Sequence, residues 1–152
     1  AIQLSPKIFT LWFNYINVLQ KFKQYDQIQK IFKNLMKKND TNLDIIYAKY
    51  AKHLRDIGRY NDSMRYYQMA LERNNYTNYS GSYAYLLYLL KKYQEALNFI
   101  EIALKNNPNY IFNHLYYYII SYHFNEHNSE KSKHHLKLCF KNKHTIPSEL
   151  HY

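Results

Sequence analysis

The sequence predicts an all-α protein built from antiparallel helical hairpins, and three observations carry that expectation. Glycine and proline are scarce, at two and three residues in 152. Apolar residues recur at helical spacing along most of the chain. A unit of about 34 residues repeats from one end to the other.

The only punctuating residues are Gly58, Gly81, Pro6, Pro108 and Pro147. Sheet architectures need more turn residues than that, so the rest of the chain must be long helix with brief Asn-, Asp- or Ser-rich joints. Helices are expected over 6–22, 25–38, 42–57, 60–74, 77–91, 93–106, 110–126 and 129–141. Ser5 is placed to cap a helix whose first residue is Pro6. Thr41 with Asp44 has the spacing of a capping box, although Asp is shorter than the usual Glu. Gly58 suits the left-handed position that ends a helix. Asn74–Asn75 and Asn106–Asn107 close two helices, and Asn128 or Ser129 opens the last.

The repeat is visible in three segments that begin with Tyr25, Tyr60 and Tyr93. Each carries apolar or small residues three, seven, ten and eleven places on. Upstream of each lies another amphipathic helix. Its inward face is expected to hold Trp12, Tyr15, Ile16 and Leu19 in the first unit, then Tyr47, Tyr50, Ala51 and Leu54 in the second. Tyr83, Ala84 and Leu87 take those places in the third, since i, i+3, i+4, i+7 spacing aligns side chains on one face. A fourth copy has Tyr116, Ile119, Ile120 and His123, followed by Ser132, Leu136, Cys139 and Phe140. The units stand 35, 33 and 36 residues apart.

In these residues the chain resembles the tetratricopeptide repeat family, whose unit is a helix A, a tight turn and a helix B. Trp12 matches the large aromatic near the start of helix A. Ala51 and Ala84 match its small residue, and Gly58 the turn. Tyr25, Tyr60 and Tyr93 open helix B; Ala70, Ala96 and Ala103 match its small residues; Pro108 matches the closing proline. The resemblance implies a right-handed α-solenoid of about four repeats, with units near 9–42, 43–76, 77–109 and 110–142. Residues 1–7 look like the end of a preceding helix B, which implies an array continuing upstream, and 143–152 like a basic tail or the start of a cap.

Small residues at those places have a physical reason. Packed helix axes lie roughly 8–10 Å apart, and the closest crossing has no room for a branched side chain. Ala51 should face Ser63, and Ala84 should face Ala96. Ala70 and Ala103 should let the following hairpin sit close. The first unit has Ile16, Ile28 and Leu35 instead, so its helices are expected to splay.

Composition narrows the function classes. Lys and Arg number 21 against 11 Asp and Glu, a formal net charge of +10, which suits an acidic protein segment, nucleic acid or an anionic membrane surface. Lys, Asn, Tyr and Ile also have AT-rich codons, so an AT-rich genome writes part of that charge by default. Cys139 is the single cysteine, so an internal disulfide is impossible and the sequence points to an intracellular, cytoplasmic setting. No signal peptide or membrane span is read in it. Glycine-rich phosphate loops, GxSxG and a suitably paired Cys and His are all missing, so no catalytic residues, cofactor or small-molecule substrate are expected. His123 and His127 have a spacing that can hold zinc on a helix. The HExxH form is absent because Phe124 intervenes, and the expectation is a core histidine and a turn histidine without metal.

The chain therefore reads as a non-catalytic adaptor. The family resemblance implies that the A helices line a concave groove for a partner's peptide segment. Groove positions are Phe13, Asn14, Asn17 and Lys21, then Ala48, Lys49, Lys52 and Arg55, then Ser82, Tyr85, Tyr88 and Leu89, and finally His114, Tyr117, Tyr118 and Phe124. Such a groove, basic and polar at one end and aromatic at the other, suits an acidic segment with apolar anchors. Co-chaperone members of the family grip a C-terminal carboxylate with Lys, Asn and Arg, but here Phe13, Asn17, Lys49, Asn78 and Ser82 occupy those places, and only Asn17 matches. The alternative is a helical-repeat protein that binds RNA, which the basic charge and the aromatics also permit.

Overall fold

The computed structural model describes residues 5–39, 41–74, 79–126 and 128–141. Among them it has eight helices and no strand: α1 (Pro6–Lys21), α2 (Tyr25–Lys38), α3 (Leu43–Asp56), α4 (Tyr60–Arg73), α5 (Ser80–Leu89), α6 (Tyr93–Asn106), α7 (Ile111–His123) and α8 (Glu130–Lys141). Consecutive helices pack as pairs, α1 with α2 through α7 with α8, and each pair meets the next, with α5 and α7 also in direct contact. This is an all-helical, repeat-like architecture. No helix among the described residues is long and apolar enough to cross a membrane.

The joints inside the pairs share one construction. Lys23, Gly58, Lys91 and Asn125 all have positive φ, between 55° and 82°. After each, the next backbone N–H reaches back five residues: Gln24 to Leu19, Arg59 to Leu54, Lys92 to Leu87 and Glu126 to Ser121, at 2.8–3.0 Å. This is the Schellman closure that satisfies the last carbonyls of a helix. Those positions stand 35, 33 and 34 residues apart. Only Gly58 has the residue type that makes the left-handed conformation cheap. In the last pair the chain runs farther from Asn125 before α8 begins at Glu130, and there Ser129 Oγ accepts the Ser132 N–H at 3.2 Å.

Two expected caps are corrected. Ser5 takes the extended N-cap conformation before Pro6, but its side chain makes no capping bond. The residue before α3 is Asn42, not Thr41, and it too has no side-chain cap bond. Asp44 instead accepts hydrogen bonds from Asn74 Nδ2 at 3.1 Å and the Tyr79 hydroxyl at 3.5 Å. The carboxylate thus ties α3 to the end of α4 and the start of α5 rather than closing its own helix. Pro6 and Lys7 form the first turn of α1, while residues 1–4 and the 143–152 tail lie outside the described residues.

The core falls into two clusters. The first gathers large side chains from α1, α2 and α3, among them Phe9, Ile16, Leu19, Ile28, Phe32, Leu35, Ile46 and Leu54. The second runs from α3 to α7 and is rich in small residues: Ala48, Ala51, Ala70, Ala84, Ala96 and Ala103 lie around Tyr67, Tyr83, Leu87 and Ile100. Small residues allow close approach here as expected. Ser63 Oγ on α4 donates to the Ala51 carbonyl on α3 at 2.6 Å. Ala103 sits against α5 where Gly81 has no side chain; a Cβ there would collide with Asn113, whose Nδ2 donates to the Ala103 carbonyl at 3.1 Å. By contrast α1 and α2 touch over fewer residues than the helices of the other pairs.

The face assigned to α1 is corrected. Phe9, Ile16 and Leu19 are buried, with Phe13 packed beside them, whereas Trp12 is 37% and Tyr15 47% exposed. Ile8, Leu11, Val18 and Phe22 are exposed as well, so one whole side of α1 is apolar and uncovered. His123 is exposed rather than a core residue, its ring stacked on Tyr93 with centroids 3.3 Å apart. Phe140 is 68% exposed.

Candidate functional site

The odd-numbered helices α3, α5 and α7 bring a cation and several tyrosines into one seam. Arg55 sits in the last turn of α3 and is only 7% exposed. Its Nε and Nη2 donate to Asp56 Oδ1 at 3.2 and 3.1 Å, and Asp56 Oδ2 accepts from Lys52 Nζ at 3.2 Å. The guanidinium carbon lies 5.2 Å from the centroid of the Tyr85 ring on α5, within cation–π range. Tyr85 in turn stacks on Tyr116 of α7, with centroids 4.7 Å apart and planes 8° from parallel.

Further rings extend this stack. Tyr88 lies 6.3 Å from Tyr85, and Tyr93 meets Tyr88 edge-on at 5.7 Å. Phe112 lies 6.3 Å from Tyr116, and Tyr110 lies 5.3 Å from Phe112. Offset and edge contacts of this kind are the favourable aromatic arrangements.

The electrostatics of the seam follow from burial. Burial by itself would loosen the proton of Arg55, but the adjacent Tyr67 and Asp56 outweigh it and push the pKa upward, so the guanidinium stays charged. Burial raises Tyr67, opposed by Arg55, and burial likewise raises Tyr116 and Tyr110. Tyr67, Tyr116 and Tyr110 therefore stay neutral at any physiological pH. Two polar atoms of the seam have no hydrogen-bond partner: Nη1 of Arg55 and the hydroxyl of Tyr67, which lies near Ser82 without forming a bond of good geometry.

The residues expected in a groove divide in the structure. Lys52, Arg55, Tyr85 and Tyr88 come together in the seam. Lys49 is exposed on α3, with its Nζ 5.3 Å from the Phe13 ring of α1. Asn14 and Asn17 are exposed on α1. Tyr117 lies elsewhere: it is 2% exposed and packs against His135 of α8, ring centroids 4.5 Å apart, with Lys131 Nζ 4.8 Å above it. Its neighbour Tyr116 holds the seam position instead. The one-residue error arises within the run Tyr116–Tyr117–Tyr118, where identical residues hide the helical phase.

His114 also turns away from the seam. Its Nδ1 lies 2.7 Å from Nδ1 of His135, and its Nε2 lies 2.7 Å from the Pro108 carbonyl. Burial, then the neighbouring His114, holds His135 down to about 4. Nothing in the sequence marked these two histidines as partners, because they stand 21 residues apart on different helices. His127 lies outside the described residues. Among the described residues no three His, Cys, Asp or Glu side chains converge as a metal site. Cys139 is buried, its thiol pKa pushed up by that burial, which makes it a poor nucleophile.

No protein-family model matches the chain, and a search of curated proteins finds no significant match.

Proposed function

We propose that the chain is a non-catalytic scaffold of the tetratricopeptide type, a right-handed solenoid of about four repeats that holds a partner's peptide segment along α3, α5 and α7. The observation that carries this reading is the Arg55–Tyr85–Tyr116 stack, which links those three helices through one basic and aromatic seam. The left-handed joints recurring at 33–35 residues support the repeat. Lys52 supplies exposed charge for steering an acidic segment, and the half-buried Tyr85 and Tyr88 supply anchors of the kind that dominate binding energy.

RNA is the competing ligand, favoured by the net charge of +10. Fluorescence anisotropy with a labelled acidic peptide carrying Phe and Leu, and with an unstructured RNA, each at two salt concentrations, separates the two. For the peptide, Lys52→Glu should weaken binding and flatten its salt dependence, and Tyr88→Ala should weaken it at either salt by about tenfold or more. Tight RNA binding that falls steeply with salt and ignores Lys52→Glu would replace the peptide reading.

A further inference from the structure

α1 and α8 carry the two halves of a contact that recurs between the helical pairs. Counting back twelve, eight and five residues from the left-handed joint finds Leu11, Tyr15 and Val18 in α1, and Ile46, Tyr50 and His53 in α3. The same count finds Tyr79, Tyr83 and Leu86 in the third pair, and Asn113, Tyr117 and Ile120 in α7. On α3 and α7 all of these are at most 4% exposed, and in the third pair Tyr83 and Leu86 are buried and Tyr79 half-buried. On α1 they are 69%, 47% and 49% exposed. What covers the others is the preceding even-numbered helix. Phe32 of α2 lies 4.8 Å from the Tyr50 ring, and Tyr67 of α4 lies 5.9 Å from that of Tyr83.

The even-numbered helices repeat as regularly. Their buried residues are Ile28, Phe32 and Leu35 in α2, Ser63, Tyr67 and Ala70 in α4, and Ala96, Ile100 and Ala103 in α6. α8 keeps this spacing with Ser132 and Cys139, but Leu136, the middle residue, is only half-buried. One place beyond the third residue, Met36, Leu71 and Leu104 pack against the core clusters, whereas Phe140 is 68% exposed. Leu136 therefore holds the place from which Phe32 and Tyr67 cover a tyrosine of the next pair, and on α1 that tyrosine is Tyr15.

We propose that a second copy of this chain docks its α8 on α1, Leu136 against Tyr15, and so carries the contact between helical pairs from one molecule into the next. An apolar helix face of this size is normally covered in a stacked array. The contact is heterologous, since each copy gives α8 on one side and α1 on the other, and assembly grows by addition instead of closing as a two-fold dimer. Charge sets its salt dependence. α1 has no acidic residue and has Lys7 and Lys21 near its ends, and α8 carries Lys131, Lys133, Lys137 and Lys141 against the single Glu130. Like charges oppose the contact, so screening should strengthen it, the reverse of an acidic peptide on a basic groove.

Sedimentation velocity of the purified chain reads the assembly directly. The weight-average mass should rise with concentration over about 5–500 μM, more steeply at about 0.5 M salt than at about 0.05 M. Leu11→Lys and Phe140→Lys alter side chains that are 69% and 68% exposed, so both variants should keep the unsubstituted circular dichroism spectrum. Each should weaken association about tenfold or more, because the contact would then bury an unpaired ammonium. Mixed in equal amounts, the two should form one-to-one dimers that grow no further, since each retains the face that the other lacks. A chain that stays monomeric over the whole range would overturn the proposal and leave α1 to a different occupant. Phe140→Lys associating as strongly as the unsubstituted chain would overturn it in favour of α1 meeting α1 about a two-fold axis. Variants that fail to pair on mixing, or association that weakens with salt, would also overturn it. The peptide groove along α3, α5 and α7 stands or falls by its own titration, whichever result is found here.

Discussion

The first helical pair and the third solve the same packing problem with opposite materials. Counting back seven residues from the left-handed joint gives Ile16 in α1 and Ala84 in α5; counting forward five gives Ile28 in α2 and Ala96 in α6. All four are buried. Two alanines let the axes of α5 and α6 approach, and those helices touch along much of their length. Two isoleucines hold α1 and α2 apart, and the gap is filled by Phe9, Phe32 and Leu35. One pair is closed by absence of side chain and the other by bulk. Substitutions should therefore hurt in opposite directions.

The largest effect is expected where bulk does the closing. Phe32 is 1% exposed, and its ring lies 4.8 Å from that of Tyr50, tying α2 to α3. Phe32→Ala should cost about 3–5 kcal/mol in urea denaturation. A loss below about 1 kcal/mol would show that the first core does not depend on filled volume.

In the third pair an added side chain should do the damage. Ala96→Leu, or Ala70→Leu between the second pair and the third, should cost about 1–3 kcal/mol by over-packing. Ile28→Leu preserves volume at the looser crossing and should cost less than either. Thermal melting that ranks these changes the other way round would mean that the repeat frame is misaligned.

The last pair closes partly through polar groups, and its signature should be a dependence of stability on pH. Ser132 Oγ donates to Ser121 Oγ at 2.9 Å, and His114 meets His135 between α7 and α8. The folded His135 has a pKa of about 4, below the ordinary 6.5, owing to burial first and then to His114, His134 and Lys131. A histidine depressed in this way gives stability that is fully present above pH 6.5 and lost as pH falls toward 4. His53, lowered chiefly by burial, acts in the same direction. Melting temperatures should decline across that window, and His135→Asn should make the decline shallower. An unchanged slope in the variant would detach His135 from the packing of α8.

The same contrast explains what the sequence makes legible. Helix positions in the middle of the chain are readable because Ala51, Ala84 and Ala96 stand out from large neighbours and fix the phase. α1 is apolar nearly all round, from Ile8 and Phe9 through Leu11, Trp12 and Phe13 to Val18 and Leu19, so periodicity cannot choose its buried side. Trp12 and Tyr15 consequently read as core while the structure exposes them. The left-handed joints are legible at Gly58 but hidden at Lys23 and Lys91, since lysine carries no local signal for that conformation. At the candidate site, Lys52, Arg55, Tyr85 and Tyr88 follow from helical phase. The orphaned Nη1 of Arg55 and the choice of Tyr116 over Tyr117 depend on packing between helices, which a linear pattern does not encode.

Amide hydrogen exchange tests the packing contrast most directly, because it reads each helix separately in the intact chain. Protection should be lower over Pro6–Lys21 and Tyr25–Lys38 than over Ser80–Leu89 and Tyr93–Asn106, where small residues bring the helices together. Stability in a stacked array comes from nearest-neighbour contacts, and those are sparser within the first pair than within any other pair and absent on the exposed side of α1 among the described residues. Equal protection in the two pairs, or higher protection in the first, would contradict the account.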